Sequence, residues 1–358
     1  MRFLFKTSYR QDTRLFRHNG QRFWYGVLLA GVLLVPFAVG DFYLGELALV
    51  FIYAIAGIGL MLLVGYTGMV SLGHAAFLAI GAYAHTWFLQ LGWPLPLALF
   101  KATVITALVG AVVGLPAMRM TGIYLAIATL AFAVIVEQVI VHWESVTGGF
   151  RGILVPEPML FGADLGTPVA FYFLCLALLL LCLLLALNIL RSPTGRAMTA
   201  VRDSEISAQS MGIHLARTKS LSFALSAGFT GLAGGLLAHQ LGYLAPEAFT
   251  ILLSIQLLLM VVVGGLGSLH GVVFGALFIG LLPQVIAMAR DLLPPAIGHT
   301  PGLEPGIFGL ILILFLIYEP LGLYGRWLKI RQYFALFPLY RKSTFRRQKH
   351  FLRTERMR

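Results

Sequence analysis

Charge is scarce in this chain: only 11% of its 358 residues are Asp, Glu, Lys or Arg, where ordinary soluble domains carry about a quarter. The ionisable groups that do occur among the long apolar runs, Asp41, Glu46, Lys101, Glu137 and Glu319, fall near the ends of those runs. A carrier driven by a proton or sodium gradient keeps carboxylates at mid-membrane, and none is evident. Cysteine is limited to Cys175 and Cys182. Seven apart in one apolar run, they share a helix face and read as small packing residues, because a single pair offers no zinc or disulfide framework. The sequence contains no Gly-Lys dipeptide, which excludes the Walker A loop G-x-x-x-x-G-K-[ST]. If nucleotide energy is used, it is released on another polypeptide. The nine histidines include no His-x-x-x-His pair or Glu-linked motif. No metal ligand set, catalytic constellation or cofactor site can therefore be nominated.

Apolar sequence is plentiful. Hydrophobic residues make up 59% of the chain, and the mean hydropathy is +0.88. About twenty apolar helical residues cross a bilayer core of roughly 30 Å. Hydropathy places ten candidate spans at 24–40, 45–64, 70–90, 96–117, 122–142, 169–190, 219–240, 248–264, 269–288 and 303–319. The basic residues test that count. Of 26 Lys and Arg, six precede the first span, five lie in 191–219 and eleven follow residue 325. Because such residues concentrate in cytoplasmic loops, these three regions belong on one side, which requires six spans before the loop and four after it. Arg119 then falls inside, and Arg151 and Arg290 outside. The expected fold is an all-α, polytopic membrane helix bundle of about ten helices with both termini cytoplasmic. It divides into a basic N-terminal segment (1–22), a transmembrane domain (23–322) and a basic, aromatic tail (323–358).

Two terminal features have alternatives. Arg2, Lys6, Arg10, Arg14, Arg17 and Arg22 lead into an apolar run ending Ala38-Val39-Gly40, which mimics a signal-peptide cleavage site. The lead is long for a signal peptide and many spans follow, so a retained first helix is the simpler account. The tail mixes Trp327, Tyr333, Phe334, Phe337 and Tyr340 with cations. That mixture could stack on single-stranded nucleic acid, but directly after a span it reads as an interfacial segment on anionic headgroups.

Small residues at spacing four permit close helix approach in lipid: Gly110/Gly114, Gly231/Gly235, Gly271/Gly275 and the stripe Ser71, Ala75, Ala79. GYTGMVSLGHAAF (65–77) sets loose backbone and polar groups between apolar runs. It is either a tight inter-helix turn or a broken or re-entrant helix, since irregular backbone at membrane depth survives only when buried in protein or lining a cavity. Gly65, Tyr66, Gly68, Ser71, Gly73 and His74 are candidate pathway or hinge positions. Tyr124 and Thr129 are further lining candidates, with packing as the alternative, and Thr147, Gly148 and Gly149 fall on the outer side. GGLGSLHG (264–271) shares a Ser-Leu with a nearby His, a hint of internal repetition.

The one long polar inner segment is RSPTGRAMTAVRDSEISAQSMGIHLARTK. Ser192-Pro193 and Asp203 or Ser204 offer helix starts, and Gly212 a left-handed stop. Ala200, Val201, Ile206, Ala208 and Met211 would give small apolar contact points, unless the segment is merely a solvated connector.

GYTGMVSLGHAAFLAIGAYA, GIYLAIATLAF, TGGFRGI, SPTGRAMTAVRDSEISAQSMGI and GGLGSLHGVVFGA occur in that order. Together they resemble the branched-chain amino acid importer permeases of the LivM type over roughly residues 45–320, though many members carry a small or polar residue in place of Phe150 and Arg151. The resemblance implies an ATP-binding cassette importer in the bacterial inner membrane. The chain would then work with a second related permease, two ATPase subunits and an extracytoplasmic substrate-binding protein. Arg196, Arg202, Asp203, Glu205, Ala208 and Gly212 would form the loop that docks on the ATPase. Amides or urea are the nearest other substrates, and a self-sufficient secondary carrier or channel the nearest other class.

Overall fold

In lipid every backbone N–H and C=O must be satisfied internally, and these long Leu-, Ala- and Val-rich runs do so as helices. The computed structural model describes residues 19–118, 120–160, 163–290, 303–319 and 321–336. The basic lead up to Arg17, Arg119 and the tail beyond residue 336 lie outside the described residues. In chain order the helices are α1 (Asn19–Leu34), α2 (Asp41–Leu60), α3 (His74–Gln90), α4 (Leu95–Ala117), α5 (Ile123–His142), α6 (Glu144–Thr147), α7 (Pro168–Arg191), α8 (Pro193–Asp203), α9 (Glu205–Ser210), α10 (Leu215–Leu241), α11 (Ile251–Gly264), α12 (Leu269–Arg290), α13 (Leu303–Tyr318) and α14 (Gly322–Leu336).

Among the described residues, eight helices are long and apolar enough to cross a membrane. A ninth span results if Pro305–Tyr318 and Gly322–Phe334, bent by 48°, count as one. The remaining candidate of the expected ten, 70–90, is helical only from His74. Its 17 helical residues extend about 25 Å at 1.5 Å per residue, short of a full crossing.

The bundle is built around α2 and α10, which run antiparallel. Gln240 Nε2 donates to Gly45 O (3.2 Å) near one end, and a methyl on Gly59 would fall 2.5 Å from Ser226 O further along. Small residues let α3 and α4 reach α10 backbone to backbone, as the spacing-four pairs predict. A Cβ on Gly81 would lie 2.2 Å from Gly231 O, and one on Gly234 2.1 Å from Leu78 O. Gly110 lies against Ala227 and Phe223, and Gly275 against the Met260 carbonyl, so these pairs are contacts within one chain. Cys175 and Cys182 are free and buried.

The two ends of the bundle differ. At one, the loop end, lie α8 and α9. Tyr25 of α1 bonds His270 at the start of α12 (2.7 Å), and Tyr324 of α14 stacks on the same His270. Gly265 packs against Tyr324, and a methyl on Gly267 would lie 3.5 Å from Arg202 Nη1, so the described N- and C-terminal helices lie at the same end as the 191–219 loop. At the far end Ile153–Leu154 pairs antiparallel with Tyr243–Leu244, and the Lys101 ammonium sits 3.1 Å from the centroid of Trp93, a cation–π contact that shelters the charge.

Candidate functional site

The final turn of α2 widens. Met61–Gly65 form a π-helical turn, a feature concentrated at functional sites. Gly68, at φ +75°, stops it in the left-handed conformation that costs glycine nothing. The N–H groups of Gly68 and Met69 donate back to Val64 O (3.2 Å) and Leu63 O (3.0 Å), and Thr67 Oγ1 donates to Leu62 O (2.9 Å). Burial pushes the Tyr66 hydroxyl up to about 12, with Tyr324 adding to the shift and Arg202 opposing it.

From Gly68 the chain passes non-helically into the bundle until His74 opens α3. His74 lies beside Ser226, eleven residues into α10, or about 16 Å at 1.5 Å per residue, near the middle of a roughly 30 Å core. At its other end, Gln90 reaches Leu154 O (3.4 Å) at the far face. Segment 68–90 is therefore non-helical through Gly73 and helical from His74 to the far end. The six residues that join α2 to α3 are longer than a tight turn and partly buried in the bundle.

Such a break survives only if its freed polar groups find partners in protein. Leu72 N–H donates to Thr129 Oγ1 (3.0 Å), Gly73 N–H to Ser71 Oγ (3.3 Å), and Ala75 N–H to Ser254 Oγ (2.9 Å). The His74 ring bonds Ser71 Oγ through Nδ1 (3.1 Å) and Ser226 Oγ through Nε2 (2.8 Å). Thr67 Oγ1 also meets Ser222 Oγ (3.2 Å). Gly73 is pressed on α5, where a methyl would come 2.6 Å from Thr129 O.

The 191–219 loop closes over this break. Arg202 Nη1 donates to Gly65 O (2.9 Å), while its Nε and Nη2 both hold Asp203 Oδ1 (3.1 and 3.0 Å). Lys219, only 1% exposed, forms an ion pair with Glu205, 39% exposed, at 2.7 Å. Ser204 caps α9 by accepting from Ser207 N–H (3.2 Å). Gly212 ends it in a Schellman motif, with Gly212 N–H to Gln209 O and Ile213 N–H to Ala208 O, both 3.0 Å. Two local expectations need correction. Ser192 does not cap α8 with its side chain, because its hydroxyl turns back to Ile189 O (2.6 Å). Val201 and Ala208 are buried toward the bundle and present no surface contact, whereas Ile206 and Met211 are each 84% exposed.

The sequence-nominated residues thus fall into separate groups. Gly65, Tyr66, Gly68, Ser71, Gly73, His74 and Thr129 come together with Arg202 and Asp203. Arg196 lies aside, donating to Arg191 O (3.1 Å) at the end of α7. Thr147, Gly148 and Gly149 sit toward the far end, where Thr147 braces the turn by bonding Trp143 O (2.8 Å) and accepting from Gly149 N–H (3.3 Å). Tyr124 is 75% exposed and takes no part in the cluster. Among the described residues no group of three or more His, Cys, Asp or Glu could hold a metal ion.

A family model described as the permease component of the branched-chain amino acid transport system matches residues 42–316. The chain belongs to this family. It is 32% identical to the high-affinity branched-chain amino acid transport system permease protein LivM of Salmonella typhimurium strain LT2, over 85% of this chain and 75% of that protein. It is 26% identical to the LivH permease protein of Escherichia coli strain K12, over 76% of this chain and 91% of LivH. It is also 30% identical to the autoinducer 2 import system permease protein LsrC of an Enterobacter species, over 56% of this chain. No solved structure matches it.

In this multi-pass membrane permease, sequence reasoning missed the partners that make the break tolerable. Thr218, Ser222, Ser226 and Thr230, all buried, form an i, i+4 stripe on α10, and Ser254 and Lys219 complete the lining. The fourfold spacing of hydroxyl residues inside an apolar run was the available signal, since such residues share one helix face.

Proposed function

We propose that this permease is the membrane half-channel of an ATP-binding cassette importer that moves Leu, Ile and Val into the cell across the bacterial inner membrane by alternating access. It would work beside a second related permease, with two ATPase subunits that hydrolyse the nucleotide and an extracytoplasmic binding protein that delivers the amino acid. The loop end is then the cytoplasmic face, in keeping with its basic residues. The observation that carries this reading is α9. It is a short helix fastened to the bundle by the Glu205–Lys219 pair, yet it holds Ile206 and Met211 almost wholly in the open. Two large apolar side chains at the tip of a rigid mount suit a groove on a partner protein. A network of hydroxyls and one imidazole suits a zwitterion released by a receptor, which needs passage and no fixed counter-charge.

The test is co-purification with the ATPase and uptake in proteoliposomes carrying the complete importer. Ile206→Asp combined with Met211→Asp should leave membrane insertion intact while abolishing ATPase binding and ATP-driven leucine uptake. Retained uptake, or accumulation by the purified chain alone under an ion gradient, would replace this reading with a self-sufficient carrier. Competition by amides or urea stronger than by valine would move the substrate class and leave the importer reading in place.

A further inference from the structure

We propose that Arg202 transmits movement of the docking loop to the π-helical break in α2, so that it serves as the positioning residue coupling nucleotide turnover to opening of the pathway. This rests on the importer reading above. The loop has two polar anchors of different kinds. Glu205–Lys219 is local, joining residues 14 apart and tying α9 to the first turns of α10. Its ammonium is buried, so α9 and α10 move as one body. Arg202–Gly65 spans 137 residues and is the hydrogen bond from the loop to the break itself.

The surroundings of Arg202 suit transmission. A methyl on Gly68 would lie 3.0 Å from Arg202 Cγ and 3.5 Å from its Cα, and one on Gly267 would lie 3.5 Å from Nη1. Three glycines, Gly65, Gly68 and Gly267, therefore surround the side chain. The end of α8 thus bears on the backbone at Gly68 through the stem of Arg202, whose guanidinium reaches the Gly65 carbonyl. Asp203 Oδ1 holds Nε and Nη2 together, fixing the plane of the fork and aiming Nη1 at the Gly65 carbonyl. The backbone beyond that carbonyl is compliant: the π turn at Met61–Gly65 and Gly68 at positive φ both tolerate dihedral change. The five residues after Gly68 then lead directly to His74 and the half-helix α3. A shift of α8 against α10 thus bends the chain at 61–68 and carries the start of α3 with it.

The experiment uses the whole importer in liposomes, measuring leucine moved and ATP hydrolysed in the same vesicles. In complexes that retain the ATPase, Arg202→Met should lower the leucine moved per ATP hydrolysed about tenfold or more, within the usual range of coupling between linked sites. Arg202→Lys should recover part of the ratio, since an ammonium reaches one carbonyl but is not steered as a planar fork. Asp203→Asn should fall between wild type and Arg202→Met. A merely structural role predicts instead that uptake and hydrolysis decline together at a constant ratio, and that result, or a ratio unchanged from wild type, overturns the proposal. If Arg202→Met does not assemble, spin labels on Val70→Cys and on Arg196→Cys, in α8 itself, decide. Their separation should stay fixed through the nucleotide cycle with Arg202 present and change with Arg202→Lys, and identical behaviour in both refutes the role. Absence of ATP-driven uptake in the wild-type complex would instead remove the importer reading itself.

Discussion

At the scale of single residues, the Glu205–Lys219 pair shows how burial makes two partners unequal. Lys219 is 1% exposed and Glu205 39%. Removing the carboxylate strands a charge in the bundle, whereas removing the ammonium leaves a carboxylate that already touches water. Breaking a fully buried pair costs about 3–5 kcal/mol, and the solvent around Glu205 brings this case toward the lower figure. Glu205→Gln should therefore destabilise the purified permease by about 3 kcal/mol and Lys219→Met by about 1 kcal/mol, read from detergent unfolding midpoints. An equal or reversed order would mean that Lys219 has another partner. His74 obeys the same logic without charge: with both ring nitrogens bonded, Ser226→Ala should cost about 1 kcal/mol. That cost should disappear when His74 is already Phe.

At the scale of elements, helix contacts here depend on the absence of side chains. A Cβ at Gly81 would meet the backbone of α10 at 2.2 Å, and backbone cannot rotate away as a flexible side chain can. Gly81→Ala should thus cost at least the 1–3 kcal/mol typical of overpacking and lower the yield of folded protein in membranes. Gly26→Ala, with nothing within 4 Å, should be neutral. If the two variants behave alike in a folding assay, the α3–α10 contact is looser than described. Gly68 differs in kind, because its space is nearly adequate but its φ of +75° is not. An alanine there carries the left-handed penalty of about 1–2 kcal/mol and stiffens the break, so its main effect should appear in transport rate.

At the scale of the whole molecule, the described bundle keeps charge at its ends and hydroxyls in its middle. Among the described residues the buried polar side chains other than Lys219 are Ser, Thr, His and Tyr, and a pathway without a mid-depth carboxylate lacks the usual site for coupling an ion gradient. ATP-driven uptake by the assembled importer should therefore persist when ionophores collapse the proton and sodium gradients across the vesicle. Loss of uptake under those conditions, with ATP hydrolysis continuing, would point to an ion-coupled step.

Composition and the distribution of apolar runs determined the class of this protein and its helical segments within a few residues. Those properties follow from the solvent: lipid demands helices of a set length. The helix break was legible as glycines and polar groups around Gly65 to His74, and Gly212 announced its own cap through its freedom at positive φ. Thr129 was nominated as a lining residue, but which groups it, Ser222, Ser226 and Ser254 support was not legible, because they lie between 57 and 179 residues from the groups they bond. Nor did hydropathy distinguish a continuous helix over 70–90 from one that begins only at His74, since both are equally apolar. Only tertiary packing placed Arg202 on the Gly65 carbonyl, across 137 residues, because a contact between glycine backbones and a distant guanidinium leaves no local pattern in the chain.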